Sequence, residues 1–126
     1  MAGTVLVVCP ENESRGQIVT TILNCGLHAL PCSSCREANS LLRSKSFTVL
    51  FCSDALDDGS YQEVIEMAKP VPVIILSRFA EWEPYMTALR AGAFDYIACP
   101  PDTDEVQRIL DCALEEVWRL SQVAAA

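Results

Sequence analysis

Five short apolar runs alternating with five amphipathic stretches predict an α/β domain, a five-stranded parallel sheet with (βα)5 connectivity. Three observations carry this. Val5-Leu6-Val7-Val8 and Val73-Ile74-Ile75-Leu76 are unbroken apolar runs, the pattern of strands covered on both faces. The segments between the runs have helical spacing and carry helix start and stop signals. The chain has 126 residues, 51% of them hydrophobic and 21% charged, which suits a single globular core.

Taken in order, Val5–Val8 is the first strand. Ser14-x-x-Gln17 reads as a capping box opening a helix with Ile18, Ile22 and Leu23 on one face, and Gly26 stops it. Residues Leu27 to Cys32 form the second strand. Ser34-x-x-Glu37 caps the second helix, with Ala38, Leu41 and Leu42 inward. Phe47 to Cys52 is the third strand, and Ser60 to Lys69 a short helix that ends before Pro70 and Pro72. After the fourth strand, Glu81 to Ala91 is a helix closed by Gly92. Phe94 to Ala98 is the fifth strand. Asp102-x-x-Glu105 opens a last helix with Val106, Ile109, Leu110, Ala113 and Val117 on its core stripe. Residues 1–121 are read as the domain and 122–126 as a tail or linker start.

Composition narrows the function. The net charge is −8, and no basic patch offsets it, so this domain is not expected to bind nucleic acid. No apolar run approaches the ~20 residues of a membrane span, and the first residues lack a basic signal region. A cytoplasmic protein with no membrane contact is expected. Seven cysteines without a secretion signal read as free thiols. No glycine-rich phosphate loop is present. The single histidine, His28, reads as a strand-edge surface residue, and no base histidine stands beside a nucleophile. Cys32-Ser33-Ser34-Cys35 has CxxC spacing, but zinc needs a second pair or histidine partners.

In a parallel sheet of this kind, chemistry gathers beyond the carboxyl ends of the strands. The loops there begin at Cys9, Ser53, Ser77 and Cys99. Their sequences, "VLVVCPENESRGQIVTTIL", "VLFCSDALDDG" and "VPVIILSRFAEWEPYMTALRAGAFDYIACPPDTDEVQRIL", resemble the receiver domain of response regulators along essentially the whole chain. "RAGAFDYIACP" parallels that family's Gly-Ala-x-Asp-Tyr-hydrophobic-x-Lys-Pro signature. The resemblance implies a flavodoxin-like three-layer sandwich and a role in two-component, or phosphorelay, signal transduction.

An active receiver holds Mg²⁺ through an acidic pair after the first strand and an acceptor Asp after the third. A Lys after the fifth strand and a Ser or Thr hydroxyl after the fourth stabilise the phosphoryl oxygens. Carried over by resemblance, the acidic pair falls on Cys9 and Pro10, with Glu11 one position late. The acceptor falls on Ser53 and the Lys on Cys99. Ser77 keeps the hydroxyl, and Tyr96 keeps the switch aromatic. Cys99-Pro100 is expected to be cis, matching the family's Lys-Pro.

A thiol is a poor Mg²⁺ ligand, proline has no side-chain oxygen, and a serine cannot form the acyl phosphate. The expectation is therefore a degenerate pseudo-receiver pocket, no enzyme, no cofactor and weak or absent Mg²⁺ binding. Such a domain would work as a phosphorylation-independent protein–protein interaction module. Its partner would be another protein or an output domain, or a second copy meeting through the fourth helix, fifth strand and fifth helix. Trp82, Tyr85 and Met86 mark that surface. Two alternatives stand beside it. Asp54 could serve as a shifted acceptor in a working phosphotransfer receiver. Cys9 and Cys99, lining one vacated pocket, could form a thiol redox or metal sensor.

Overall fold

The computed structural model describes residues 3–125. The elements run β1 (Thr4–Val8), α1 (Asn12–Asn24), β2 (His28–Cys32), α2 (Cys35–Ser44), β3 (Val49–Ser53), α3 (Tyr61–Ala68), β4 (Val73–Ser77), α4 (Trp82–Arg90), β5 (Asp95–Ala98) and α5 (Thr103–Ala125). All strands are parallel, in the order β2-β1-β3-β4-β5. Among the described residues no helix is long and apolar enough to cross a membrane.

Side-chain alternation splits the core into two layers. Val5, Val7, Val49, Phe51, Ile74, Leu76 and Ile97 point to the face covered by Ile18 and Ile22 of α1 and by Val106, Ile109, Leu110 and Ala113 of α5. Leu6, Val8, Leu50, Cys52, Val73 and Ile75 point to the other face, under Ala38 of α2, Val64 and Ile65 of α3, and Ala88 of α4. Strands covered on both faces explain the unbroken apolar runs. Pro31, which cannot donate to a ladder, sits on the edge strand β2. His28 opens that same edge strand and is exposed.

Helix ends follow local chemistry. In α3, Ser60 and Glu63 form a reciprocal capping box. Gly26 (φ +81°) and Gly92 (φ +107°) end α1 and α4 in the left-handed region that other residues avoid. At α2, the Ser34 hydroxyl accepts from the Glu37 amide, and the Asp58 carboxylate, reaching over from the β3–α3 loop, accepts from the Cys35 (2.8 Å) and Arg36 (3.0 Å) amides. Three of the four orphan donors of α2 are thus satisfied. The Cys35 and Arg36 amides hold the Asp58 carboxyl below its ordinary value. A depressed carboxylate stabilises the fold at neutral pH and loses that contribution as the pH falls through its folded value. Asp58→Ala is therefore expected to lower the thermal midpoint at pH 7. The gap to the wild type should close as the pH falls below 3.8; a gap unchanged from pH 7 to 3 would show that the carboxylate charge is not what caps α2.

Four expectations need correction. The first helix begins at Asn12, not Ser14, because the Glu11 carboxylate caps it by accepting from the Glu13 (2.9 Å) and Ser14 (2.7 Å) amides. Leu23 lies on its exposed side, at 54% exposure. The last helix continues through 122–125, where a tail was expected, and Ala126 lies outside the described residues. The third strand spans Val49–Ser53 rather than Phe47–Cys52. Phe47 packs against the α2–α3 layer from outside the strand, and the one-residue shift at the other end moves the strand's tip from Ser53 to Asp54.

Candidate functional site

At the carboxyl ends of β3, β4 and β5 the same alternation sorts the residues by face. Ser53 closes β3 on the α1–α5 side, in line with Val49 and Phe51. It is 7% exposed, and its hydroxyl accepts from the Ala55 amide (3.1 Å). Asp54 follows as the first residue beyond the strand, held in register by its amide donating to the Leu76 carbonyl (2.9 Å). Its side chain turns to the other face, toward α3 and α4.

There the Ser77 hydroxyl, at the end of β4, donates to Asp54 Oδ2 (2.7 Å). Asp54 Oδ1 is buried and has no hydrogen-bond partner. Arg78 Nε stands 3.9 Å from it, too far for a hydrogen bond. The Ser77 hydroxyl also accepts from the Phe79 amide (3.0 Å), and the Tyr96 hydroxyl donates to the Phe79 carbonyl (2.6 Å). Burial pushes the Tyr96 phenol up from its ordinary value. Tyr61, Phe79, Glu83 and Thr87 complete a cleft of about 380 Å³ around Asp54. On the outer side of Tyr96, Tyr85 meets it edge-on at 5.7 Å and Trp82 packs on Tyr85 at 5.5 Å. Trp82 is 73% exposed, while Tyr85 and Met86 are half-buried.

Asp54, and not Ser53, thus stands opposite Ser77 at the carboxyl edge of the sheet. Cys9 and Cys99 lie in one layer, near enough for Cys9 to act on the Cys99 thiol. Cys9 is buried in the α1–α5 layer, Cys99 is half-buried against it, and neither lines the Asp54 cleft. Both thiols are pushed up by burial, and the Asp54 charge adds to the rise in each. They are therefore protonated at neutral pH, within electrostatic reach of Asp54. All seven cysteines are unpaired thiols. In the CxxC pair, Cys32 and Cys35 are both buried, and burial raises Cys32 to about 11. Cys52 faces the opposite layer from Phe51, as the alternation predicts. The Cys99–Pro100 peptide is cis, and Lys69–Pro70 is a second one.

The donors present do not fit Mg²⁺. Asp54 is one carboxylate, where a hard cation wants several oxygen ligands. Cys9 and Pro10 offer none, and both Glu11 oxygens are occupied by helix amides, with Ser14 foremost in holding that carboxyl below its ordinary value. Among the described residues no group of three or more His, Cys, Asp and Glu side chains is arranged to hold a metal ion. Arg15 is committed to the Cys9 carbonyl (2.8 Å) and to Asn12.

No protein-family model matches the chain. Among curated proteins it is similar to the transcriptional regulatory protein ZraR of Salmonella typhimurium, 26% identical over 114 residues, covering 86% of this chain and 26% of ZraR. The chain spans about a quarter of the length of the curated relatives it matches. Among solved structures it superposes on the receiver domain of the Francisella response regulator 1452 with a TM-score of 0.83, at 20% identity over 90% of this chain and 98% of that one. It superposes on NtrX of Brucella abortus with a TM-score of 0.89, at 23% identity over 99% of this chain and 29% of NtrX.

Proposed function

We infer that this chain, which has the flavodoxin-like receiver fold of two-component response regulators, signals by protein–protein contact without accepting a phosphoryl group. The observation that carries this is the fate of the charges around Asp54. The carboxylate, the Ser77 hydroxyl and the Tyr96 aromatic remain. Around them stand neutral thiols at Cys9 and Cys99, a proline at 10, and a Glu11 whose oxygens cap α1. Phosphoryl transfer is mostly positioning and electrostatic stabilisation. A lone carboxylate facing a dianionic phosphoryl group, with no metal ligands and no lysine, lacks both.

The module would act within a larger regulator or against a protein partner. ZraR, about four times the matched length, is a transcriptional regulatory protein, which supports an output region as that partner. The exposed Trp82 on α4, beside β5 and the start of α5, supports that face as the contact surface. A homodimer through the same face, a cytoplasmic location and the absence of enzymatic activity belong to the same proposal.

The alternative of phosphotransfer at Asp54 draws on one observation, the unpartnered Oδ1 of a carboxylate that lines the cleft and is bonded through Oδ2 to the Ser77 hydroxyl. Incubation with acetyl phosphate and Mg²⁺, read by intact mass, separates the two. No mass gain is expected. A gain of one phosphoryl group that Asp54→Ala abolishes would overturn the interaction-only reading.

A further inference from the structure

A carboxylate whose one oxygen is buried without a partner is costly, and a nearby cation is the usual remedy. Position 99, which by resemblance would carry that cation, holds an uncharged thiol. Arg15 is engaged at Cys9 and Asn12. Among the described residues, Arg78 is the one basic side chain in ion-pair range of Asp54. It follows Ser77 directly in the chain, so two consecutive residues address the two oxygens of one carboxylate. The Ser77 hydroxyl bonds Oδ2, and the Arg78 guanidinium faces Oδ1 from 3.9 Å. The guanidinium also lies over the Phe79 ring, 5.2 Å from its centroid. Its side chain is 68% exposed and free to close the remaining distance.

We propose that Arg78 is the working cation of this site, pairing with the free oxygen of Asp54 in place of the charge that Cys99 does not supply, and latching the β4–α4 loop to the end of β3. The latch engages three successive residues. Ser77 and Arg78 hold Asp54, and Phe79 is held by Tyr96, whose ring leads through Tyr85 to the exposed Trp82. The state of the Asp54 carboxylate is thereby tied to the surface proposed to meet a partner. The assignment deepens the reading above and shares its premise that position 99 carries no cation.

The test is a set of thermal-unfolding and amide-spectrum comparisons on the full chain. Arg78→Ala is expected to lower the midpoint and to shift the Ser77, Arg78 and Phe79 amide signals. Arg78→Lys should retain part of the effect, as a point charge without the planar fork. In a Cys99→Lys background the charge is restored from the other side, and Arg78→Ala should then lose at least half of its effect. In an Asp54→Asn background, which keeps an acceptor for Ser77 but removes the charge, Arg78→Ala should do nothing to the midpoint. An Arg78→Ala effect of equal size in the Asp54→Asn background would show that the arginine acts through Phe79 alone and overturn the latch. An absent effect in the wild type would overturn it equally. Neither result touches the phosphorylation assay, so a failure of the latch and a failure of the interaction-only reading remain distinct.

Discussion

The triple variant Cys9→Asp/Pro10→Asp/Cys99→Lys is expected to take one phosphoryl group on Asp54 from acetyl phosphate in the presence of Mg²⁺, under conditions where the wild type takes none. The nucleophile is already placed. Asp54 is the first residue beyond β3, and the Ser77 hydroxyl bonds it at 2.7 Å. In the reaction an Asp54 oxygen forms a bond to phosphorus while the bond to acetate breaks, and acetate leaves with the electron pair. What the wild-type chain lacks is charge. Carboxylates at 9 and 10 would join Asp54 as hard oxygen donors for a divalent cation. An ammonium at 99 would meet the developing negative charge, and a single well-placed stabiliser of this kind is worth on the order of 10²–10³ in rate.

The Asp54 charge already acts on the thiols at both Cys9 and Cys99, so groups installed there fall within its reach. Each change alone should fail, since one added carboxylate raises repulsion with Asp54 without completing a metal site, and a lysine at 99 supplies no metal ligand. Cys9→Asp by itself should also lower stability without Mg²⁺. Cys9 is 2% exposed, and an uncompensated buried charge costs about 3–5 kcal/mol. Intact mass with an Asp54→Ala control reads the outcome. A triple variant that folds, binds Mg²⁺ and still takes no label would mean that the lost charges are not what silences the site.

The central strands were legible because their apolar runs are covered on both faces, and the helices because most carry a core stripe or a capping signal. Burial of Val5–Val8 and of Val73–Ser77 at every position leaves no polar alternation to confuse the reading. The site was less legible, and the reasons are local. Strand ends are read from where apolar residues stop. Cys52 is the last apolar residue of β3, which on sequence alone puts the tip at Ser53, although the ladder continues one residue further to pair Ser53 with Leu76. One residue decides which face a side chain meets.

Glu11 is an uncommon helix cap, so Ser14 drew the boundary. The roles of Asp58 and Arg78 depend on partners brought close by folding, across 23 residues from Asp58 to Cys35 and from the β4 loop back to Asp54. No spacing rule within a single segment marks either. The serine at 77 and the tyrosine at 96 were readable through the family resemblance, Tyr96 from its place in the motif RAGAFDYIACP.

Ser53→Asp, the substitution that would rebuild an acceptor if the strand ended one residue earlier, is expected to destabilise the fold strongly and to confer no labelling. Ser53 is 7% exposed, and its side chain lies on the α1–α5 side of β3, in line with Val49 and Phe51 of the apolar layer. Its hydroxyl satisfies the Ala55 amide at 3.1 Å. A carboxylate there enters a site with no cation, next in sequence to a second carboxylate and on the face occupied by Cys9. An uncompensated buried charge costs about 3–5 kcal/mol. For a domain of this size, that is a drop of roughly 10–20 °C in the midpoint, a large share of the ~5–15 kcal/mol that holds such a fold.

The introduced group would have its pKa raised by burial and by Asp54, so its cost is full above that raised value and fades as the pH falls toward about 4. Ser53→Ala removes only one hydrogen bond and should cost about 1 kcal/mol. The contrast between the two variants isolates charge from shape. In the triple background, Ser53→Asp combined with Asp54→Asn should abolish labelling, because its carboxylate points away from Ser77. A stable Ser53→Asp protein that labels at position 53 would return the acceptor to Ser53 and overturn the assignment of the site to Asp54.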